Sequence, residues 1–151
     1  MNNDKLFPQA DEQYELGNLD IAFKLFLKAA EQGDSSAMSR LACMYADGEG
    51  VSRDFEKSIE WDKNSIEAGN ISSFLNLAIT YRTLGDIVSS KYWFEKALDK
   101  GDAEAALQLA KLYMISDKER ESIEHYLNLA INDKSICEES RIEANNLLMN
   151  F

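Results

Sequence analysis

The chain has 151 residues, 45% of them hydrophobic, and its 27 acidic and 16 basic residues give a formal net charge of −11. A chain of this length and apolar content can bury a core as one domain. The acidic excess argues against a general nucleic-acid binder, because such proteins neutralise phosphates with Lys and Arg. It is compatible with long-range attraction of a basic partner, and equally with a solvated helical surface that has no such role.

Nothing in the sequence indicates a membrane segment or a secretion signal. No apolar run approaches the roughly 20 residues that cross a bilayer, and the first residues lack the basic and apolar parts of a signal peptide. Two cysteines, Cys43 and Cys137, do not suggest a disulfide framework. We therefore expect a cytoplasmic protein without membrane or nucleic-acid partners.

The pattern of apolar residues and turn residues predicts helices throughout. One proline and seven glycines are too few turn-forming residues for a chain of many short strands. We expect an N-terminal tail over residues 1–7 and a single repeat domain over residues 8–151, opened by Pro8 in a first helical turn. In chain order the predicted helices span residues 8–16, 19–32, 36–46, 54–68, 71–84, 87–100, 103–115, 119–132 and 136–149.

Four similar helix endings divide this series into hairpins. Their marker residues are separated by 36, 32 and 33 residues, the length of one helical hairpin: Gly33, Gly69, Gly101 and Lys134. Glycine at such a position can adopt the positive φ that closes a helix, and we expect it at Gly69 and Gly101. The residues after the glycines can cap the next helix: Asp34, Asn70 and Asp102.

Residues at fixed distances from the markers repeat in type. Eight residues before each marker stands a bulky residue: Leu25, Trp61, Trp93 and Tyr126. Eight residues after the markers stand Leu41, Leu77, Leu109 and Ile142. Nine residues after the three glycines stand Ala42, Ala78 and Ala110, and twelve residues after them stand Tyr45, Tyr81 and Tyr113. The Leu, Ala and Tyr columns lie along one helical stripe of the first helices, and the bulky column lies on the second helices. Together they predict hairpins that stack on one another, with Trp61 and Trp93 mostly buried.

The second hairpin contains a longer loop, Gly48-Glu49-Gly50-Val51, which is followed by Asp54 and Phe55. With the Leu, Ala and Tyr columns, this loop resembles the SEL-one-like repeat, a subfamily of the tetratricopeptide repeat superfamily. The resemblance extends over residues 9–134, although the other hairpins lack the loop. It implies an all-α, right-handed solenoid of about four hairpins with a C-terminal capping helix. It also implies a concave groove formed by the first helix of each hairpin, and a scaffold or adaptor role in protein–protein contacts.

Catalytic chemistry finds no support in the sequence, and we expect no catalytic residues, no cofactor and no metal. His125 is the only histidine, so neither a zinc site nor a histidine-centred relay can be assembled from several of them. The Gly48-Glu49-Gly50 segment is acidic and lacks the lysine of a phosphate-binding loop. A hydrolase remains a distant alternative, because a related branch of the family is sometimes linked to enzymatic activity.

The residues of the first helices that the packing columns leave over are the candidates for partner binding. We call them the first-helix set: Arg40, Leu75, Asn76, Ile79, Arg82, Leu107, Gln108 and Lys111. Apolar positions flanked by cations and amides suit a segment of another protein. Alternatively, Leu75, Ile79 and Leu107 contact the neighbouring hairpin. The acidic residues are expected on the exposed second helices and loops: Asp54, Glu56, Glu60, Asp62 and Glu67.

These features favour a non-catalytic protein that binds another protein. The most concrete hypothesis is an acidic inhibitor of the immunity type, which neutralises a toxin or enzyme with a basic surface by steered association. The alternative is an adaptor in signalling or complex assembly, which holds a peptide with an acidic end against Arg40, Arg82 and Lys111.

Overall fold

A computed structural model describes residues 5–116 and 118–151 of the chain. Those residues form nine helices and no strand, and every predicted helix is present with ends within two residues of the prediction. The helices are α1 (Leu6–Glu15), α2 (Leu19–Glu31), α3 (Ser35–Asp47), α4 (Phe55–Glu67), α5 (Ser72–Thr83), α6 (Ile87–Asp99), α7 (Glu104–Ser116), α8 (Arg120–Asn132) and α9 (Glu138–Met149).

The predicted N-terminal tail, residues 1–7, is too long. Helix α1 already begins at Leu6, because Leu6 and Phe7 pack against the first hairpin's core, where the Phe7 ring lies 5.4 Å from that of Phe26. Residues 1–4 of that tail lie outside the described residues. The chain divides into two compact units, Met1–Thr80 and Tyr81–Phe151, where we expected a single domain over residues 8–151. Each unit is described by itself.

The marker glycines close their helices as predicted. Gly33, Gly69 and Gly101 have φ of +93°, +93° and +90°. At the first of them, the backbone N–H of Gly33 donates to the Ala30 carbonyl over 2.9 Å. Asp34 then caps α3 by accepting from two backbone N–H groups, at 2.9 and 3.0 Å. A carboxylate that satisfies these otherwise unpaired groups stabilises a helix by about 0.5–2 kcal/mol.

In the first unit, α1 to α3 enclose an apolar core, and α4 packs against α3. The side chains of Phe26, Leu41 and Met44 are fully buried, and Ala42 lets helices approach closely. Trp61 packs at the edge of this core and is half-buried, as is Trp93 in the second unit.

The glycine loop that follows α3 is fixed against the first hairpin. The Tyr14 hydroxyl donates to the Glu49 carboxylate over 2.5 Å. Gly50 has φ of +68°, and a Cβ on it would stand 2.4 Å from the Leu19 carbonyl oxygen. Only glycine allows the two backbones this approach.

In the second unit, α7, α8 and α9 share an apolar core. The side chains of Leu127 and Ile123 are fully buried against α7. Ala144, Leu147 and Leu148 of α9 pack against the same core, as expected of a C-terminal capping helix. No helix among the described residues is long and apolar enough to cross a membrane.

Candidate functional site

Arg40 contacts both an acidic and an aromatic side chain of α1 in the first unit. Its guanidinium lies 3.2 Å from an Asp11 carboxylate oxygen and 5.1 Å from the centre of the Tyr14 ring. The Arg40 and Asp11 side chains are 37% and 41% exposed, so solvent screens the pair and its net contribution to stability is small. These contacts orient the guanidinium on the surface formed by the first helices of the hairpins, which we call the first-helix face.

Helix α5 supplies three members of the first-helix set to the first unit, and all three are half-buried: Leu75, Asn76 and Ile79. The Asn76 amide donates to the Ser39 hydroxyl over 3.1 Å and approaches the Cys43 sulfur at 3.6 Å. A depression of about 270 Å³ opens on this face, lined by Phe7, Ser36, Ser39, Arg40, Cys43, Asn70, Ser72 and Asn76. The structure therefore brings Arg40 and Asn76 to one concavity.

The second unit holds the remaining polar members in hydrogen-bonded pairs. The Arg82 guanidinium donates to the Gln108 carbonyl oxygen over 2.7 Å, and the Gln108 amide donates to Glu104 over 3.1 Å. The Lys111 ammonium lies 2.6 Å from the Glu143 carboxylate of α9. Arg82 therefore has an amide partner on α7, and Lys111 has an acidic partner on α9.

Leu107 cannot contact a partner in this structure, so its placement in the first-helix set is wrong. Its side chain is 0% exposed and belongs to the core of the second unit. The reason is that α7 contacts α9 as well as α6 and α8, so an additional face of α7 is covered. Leu107 therefore belongs to the core that α7 shares with α8 and α9.

The acidic residues of α4 divide into exposed and buried groups. Glu56, Glu60 and Glu67 are exposed as predicted, and Asp54 caps α4 by accepting from the Lys57 N–H over 3.0 Å. Asp62, expected on the exposed second-helix surface, is only 1% exposed, so that expectation is wrong. Neither of its carboxylate oxygens has a hydrogen-bond partner among the described residues.

Burial determines the ionisation of Asp62. Removal from water raises the pKa of its carboxyl to about 8 from an ordinary 3.8, although the neighbouring Ser73 and Asn76 side chains oppose the rise. The carboxyl lines a cavity of about 180 Å³ between α3, α4 and α5. An ionisable group with such a shift inside a cavity is a candidate for function.

The repeat spacing contains a signal that Asp62 is buried. Seven residues before each marker stand Phe26, Asp62, Phe94 and Leu127, and all four are buried. Three hairpins thus place a large apolar side chain where the second places a carboxylate. This column identifies position 62 as part of the core, where an ionisable side chain is unusual.

The described residues offer little for metal or histidine chemistry. No group of three or more His, Cys, Asp or Glu side chains among them could hold a metal ion. His125 is exposed, and its ring lies 5.1 Å from that of Tyr126. What the first unit offers is a polar depression on its first helices and exposed acidic residues on α4.

Comparison with known proteins identifies the repeat. The family model described as Sel1 repeat matches residues 13–34, 35–70 and 80–102, more than half of the chain. No curated protein matches the chain at a significant level of sequence similarity.

Solved structures share the fold over most of the chain. A protective antigen of uropathogenic Escherichia coli with an SLR fold aligns with 99% of this chain and 34% of its own length, at 20% identity and a TM-score of 0.78. A Sel1 repeat protein from Oxalobacter formigenes aligns with 99% of this chain and 63% of its own, at 21% identity and a TM-score of 0.73.

A third similar structure, an immunity protein from Pseudomonas aeruginosa, aligns with 82% of this chain and 53% of its own, at 24% identity and a TM-score of 0.55. The chain thus spans between a third and two thirds of the length of these three proteins. At such identities the likeness establishes the fold, and the predicted all-α solenoid of helical hairpins is confirmed.

Proposed function

Because the chain belongs to the Sel1 repeat family, we propose that it is a non-catalytic module that binds another protein through its first helices. The observation that carries this proposal is the depression on the first-helix face of the first unit, where Arg40 is held by Asp11 and Tyr14 beside Asn76. A side chain fixed before binding loses less entropy when a partner arrives, which favours affinity.

Partner contacts on the first unit would come from Arg40, Leu75, Asn76 and Ile79. On the second unit they would come from Arg82, Gln108 and Lys111. A partner must either break the Arg82–Gln108 and Lys111–Glu143 pairs or bind to the donors and acceptors that these pairs leave unused. Leu107 is left out because it is buried. Repeat surfaces of this kind recognise a segment of another protein by several moderate contacts rather than by one deep pocket.

We infer further that the partner is a basic toxin or enzyme which this cytoplasmic protein inhibits. The net charge of −11 and the exposed Glu56, Glu60 and Glu67 of α4 support this role, because like-signed charges accelerate the approach of an oppositely charged protein. One solved structure with this fold is an immunity protein. The alternative adaptor of an acidic peptide is less well supported, because Arg40 and Lys111 already have carboxylate partners.

Blocking the depression tests the proposal. Ser36 is exposed at its rim, and Ser36→Trp would fill it without disturbing the core. Binding to the co-purified partner, measured by surface plasmon resonance, should weaken at least tenfold. Ser52→Trp, at an exposed position in the loop before α4, is the matched control and should leave affinity within about twofold of wild type, because it lies outside the depression and removes no charge. Equal affinity of Ser36→Trp and wild type would refute the first-helix assignment.

Salt dependence tests the inhibitor role separately. Association should slow steeply between low salt and 0.15 M, where the Debye length is about 8 Å. Replacing Glu56, Glu60 and Glu67 together by Gln should slow association at low salt and leave dissociation nearly unchanged. An association rate that ignores salt would exclude steering and favour the adaptor.

A further inference from the structure

The second hairpin departs from the others at buried positions that face one cavity. Asp62 replaces the Phe or Leu of its column. Eleven residues after the markers, Thr80 stands where the neighbouring hairpins have Met44 and Leu112, and all three side chains are nearly or fully buried. A shorter polar residue at each position leaves space and hydrogen-bonding groups where the other hairpins have packed hydrocarbon. Such substitutions cost stability, which makes a binding role the better explanation.

The cavity of about 180 Å³ combines oxygen acceptors with apolar walls. Both oxygens of Asp62 and the Ser58 hydroxyl oxygen are buried without a hydrogen-bond partner among the described residues. The Thr80 hydroxyl donates to the Asn76 carbonyl over 3.2 Å, which leaves its oxygen able to accept. The remaining walls include the side chains of Ala42, Ala46 and Ile79. A ligand for this cavity must therefore bring donors at one end and hydrocarbon along its length.

The charge around the cavity is negative. Asp47, which is exposed, lines it together with Asp62, and no Lys, Arg or His is among the described residues that line it. Burial, followed by the charges of Asp62 and Asp47, raises the pKa of the Cys43 thiol to about 11, so this group stays neutral. The positive charge of Arg40 opposes this rise in the Cys43 pKa, and the Arg40 guanidinium is itself paired with Asp11. Helix α5 contributes only neutral groups near Asp62: Ser73, Asn76 and Thr80.

We propose that this cavity binds the guanidinium or primary ammonium group at the end of a short alkyl chain, with Asp62 as its counter-ion. The carboxylate and the Ser58 and Thr80 hydroxyl oxygens accept from the cationic head, and Ala42, Ala46 and Ile79 surround the stem. A planar guanidinium can donate to both Asp62 oxygens at once. A metal ion fits less well, because no three His, Cys, Asp or Glu side chains converge among the described residues.

Two sources could supply this group: an Arg or Lys side chain of a bound protein, and a free alkylguanidine or alkylamine. The cavity shares Cys43 and Asn76 with the first-helix depression, but Asp62 and Ser58 belong to the cavity alone, so small probes can test it without a protein partner. Free probes report on the cavity itself, and a capped peptide reports on its access to a side chain. A negative result here leaves the first-helix proposal untouched.

The experiment titrates the full-length ¹⁵N-labelled protein with butylguanidinium, butylammonium and the neutral isostere butylurea, followed by amide chemical shifts. Both cations should shift residues around Ser58, Asp62 and Thr80 saturably, and butylurea should not. Asp62→Asn, which keeps the side-chain size, should weaken cation binding at least tenfold. Asp62→Leu, which restores the residue type of Leu127, should abolish it. Glu31→Gln on α2 removes an equal but exposed charge and should change the affinity by less than twofold.

The pH dependence adds a second readout. Because the cation requires ionised Asp62, the apparent affinity should fall about 50-fold from pH 8 to pH 6, in proportion to the ionised fraction of a group with a pKa of about 8. Binding of acetyl-Ala-Arg-Ala-amide, and not of its citrulline analogue, would support the site with a protein side chain as its source. Binding of butylguanidinium without the peptide would support it with a small molecule as its source. Equal binding of butylurea, an unaffected Asp62→Asn variant, an affinity equal at pH 6 and pH 8, or no saturable shift would each overturn the proposal.

Discussion

Asp62→Asn should make the protein more stable, and increasingly so as the pH rises. The variant keeps the size of the side chain and removes its ability to ionise. In the wild type, the folded-state pKa is raised to about 8 while the unfolded chain has the ordinary value of 3.8. The free energy of unfolding is therefore highest below about pH 4, where the carboxyl is neutral in both states. It falls as the pH rises from 4 through 8, because over this range the unfolded state binds fewer protons than the folded state.

The magnitude follows from the two pKa values. Between them, the free energy of unfolding of the wild type falls by about 1.4 kcal/mol per pH unit relative to Asp62→Asn. From pH 5 to pH 8 the difference should grow by roughly 3.5 kcal/mol, with no discount for solvent because Asp62 is 1% exposed. With a urea slope of about 1–3 kcal/mol/M, the separation of the midpoints should grow by about 1.2–3.5 M over that interval.

Urea denaturation of both proteins, followed by circular dichroism at half-unit pH steps, measures this difference directly. Asp86→Asn is the control, because Asp86 is exposed and hydrogen bonds from the Ser89 hydroxyl and N–H hold the pKa of its carboxyl below the ordinary value. Its contribution is lost as the pH falls, so its difference from wild type should not grow above pH 5. A constant gap between wild type and Asp62→Asn from pH 5 to pH 8 would refute the buried, neutral carboxyl.

Two further predictions concern packing and backbone. Gly50→Ala should destabilise the protein by at least about 1 kcal/mol more than Gly69→Ala in thermal unfolding, since both have positive φ but only at Gly50 would the Cβ meet a backbone carbonyl; equal losses would contradict the close approach to Leu19. Leu107→Ala should cost about 2–5 kcal/mol because it leaves a cavity in the core, while Leu75→Ala should cost less than half as much; the reverse order would contradict their burial.

The helices could be predicted because their ends depend on local chemistry. Each marker glycine adopts a positive φ that other residues resist, and Asp34 caps the following helix through its own side chain. Pro8 suits the first turn of a helix and therefore predicts a tail that reaches residue 7, whereas α1 begins at Leu6. The contact of Phe7 with Phe26 extends α1 beyond it, and such a contact between distant residues has no local signature.

The site was only partly predictable, because helical periodicity fixes which residues share a face but not what covers that face. Leu107 and Leu75 occupy the same repeat position, six residues after Gly101 and Gly69, yet Leu107 is buried and Leu75 is half-buried. The difference comes from α9, which packs on α7. The charge of Asp62 predicts a surface position, whereas its repeat position predicts the core, where the structure places it.

The central claim is that the chain works by holding another protein on its first helices, and site-specific photo-crosslinking tests it most directly. Benzoylphenylalanine would be placed at Ser36, at the rim of the first-helix depression, and separately at Glu60, on the exposed face of α4. In cells that produce the protein, the probe at position 36 should crosslink to one defined protein, and the probe at position 60 should do so weakly or not at all. No defined product at position 36, or a partner captured only from position 60, would contradict the account.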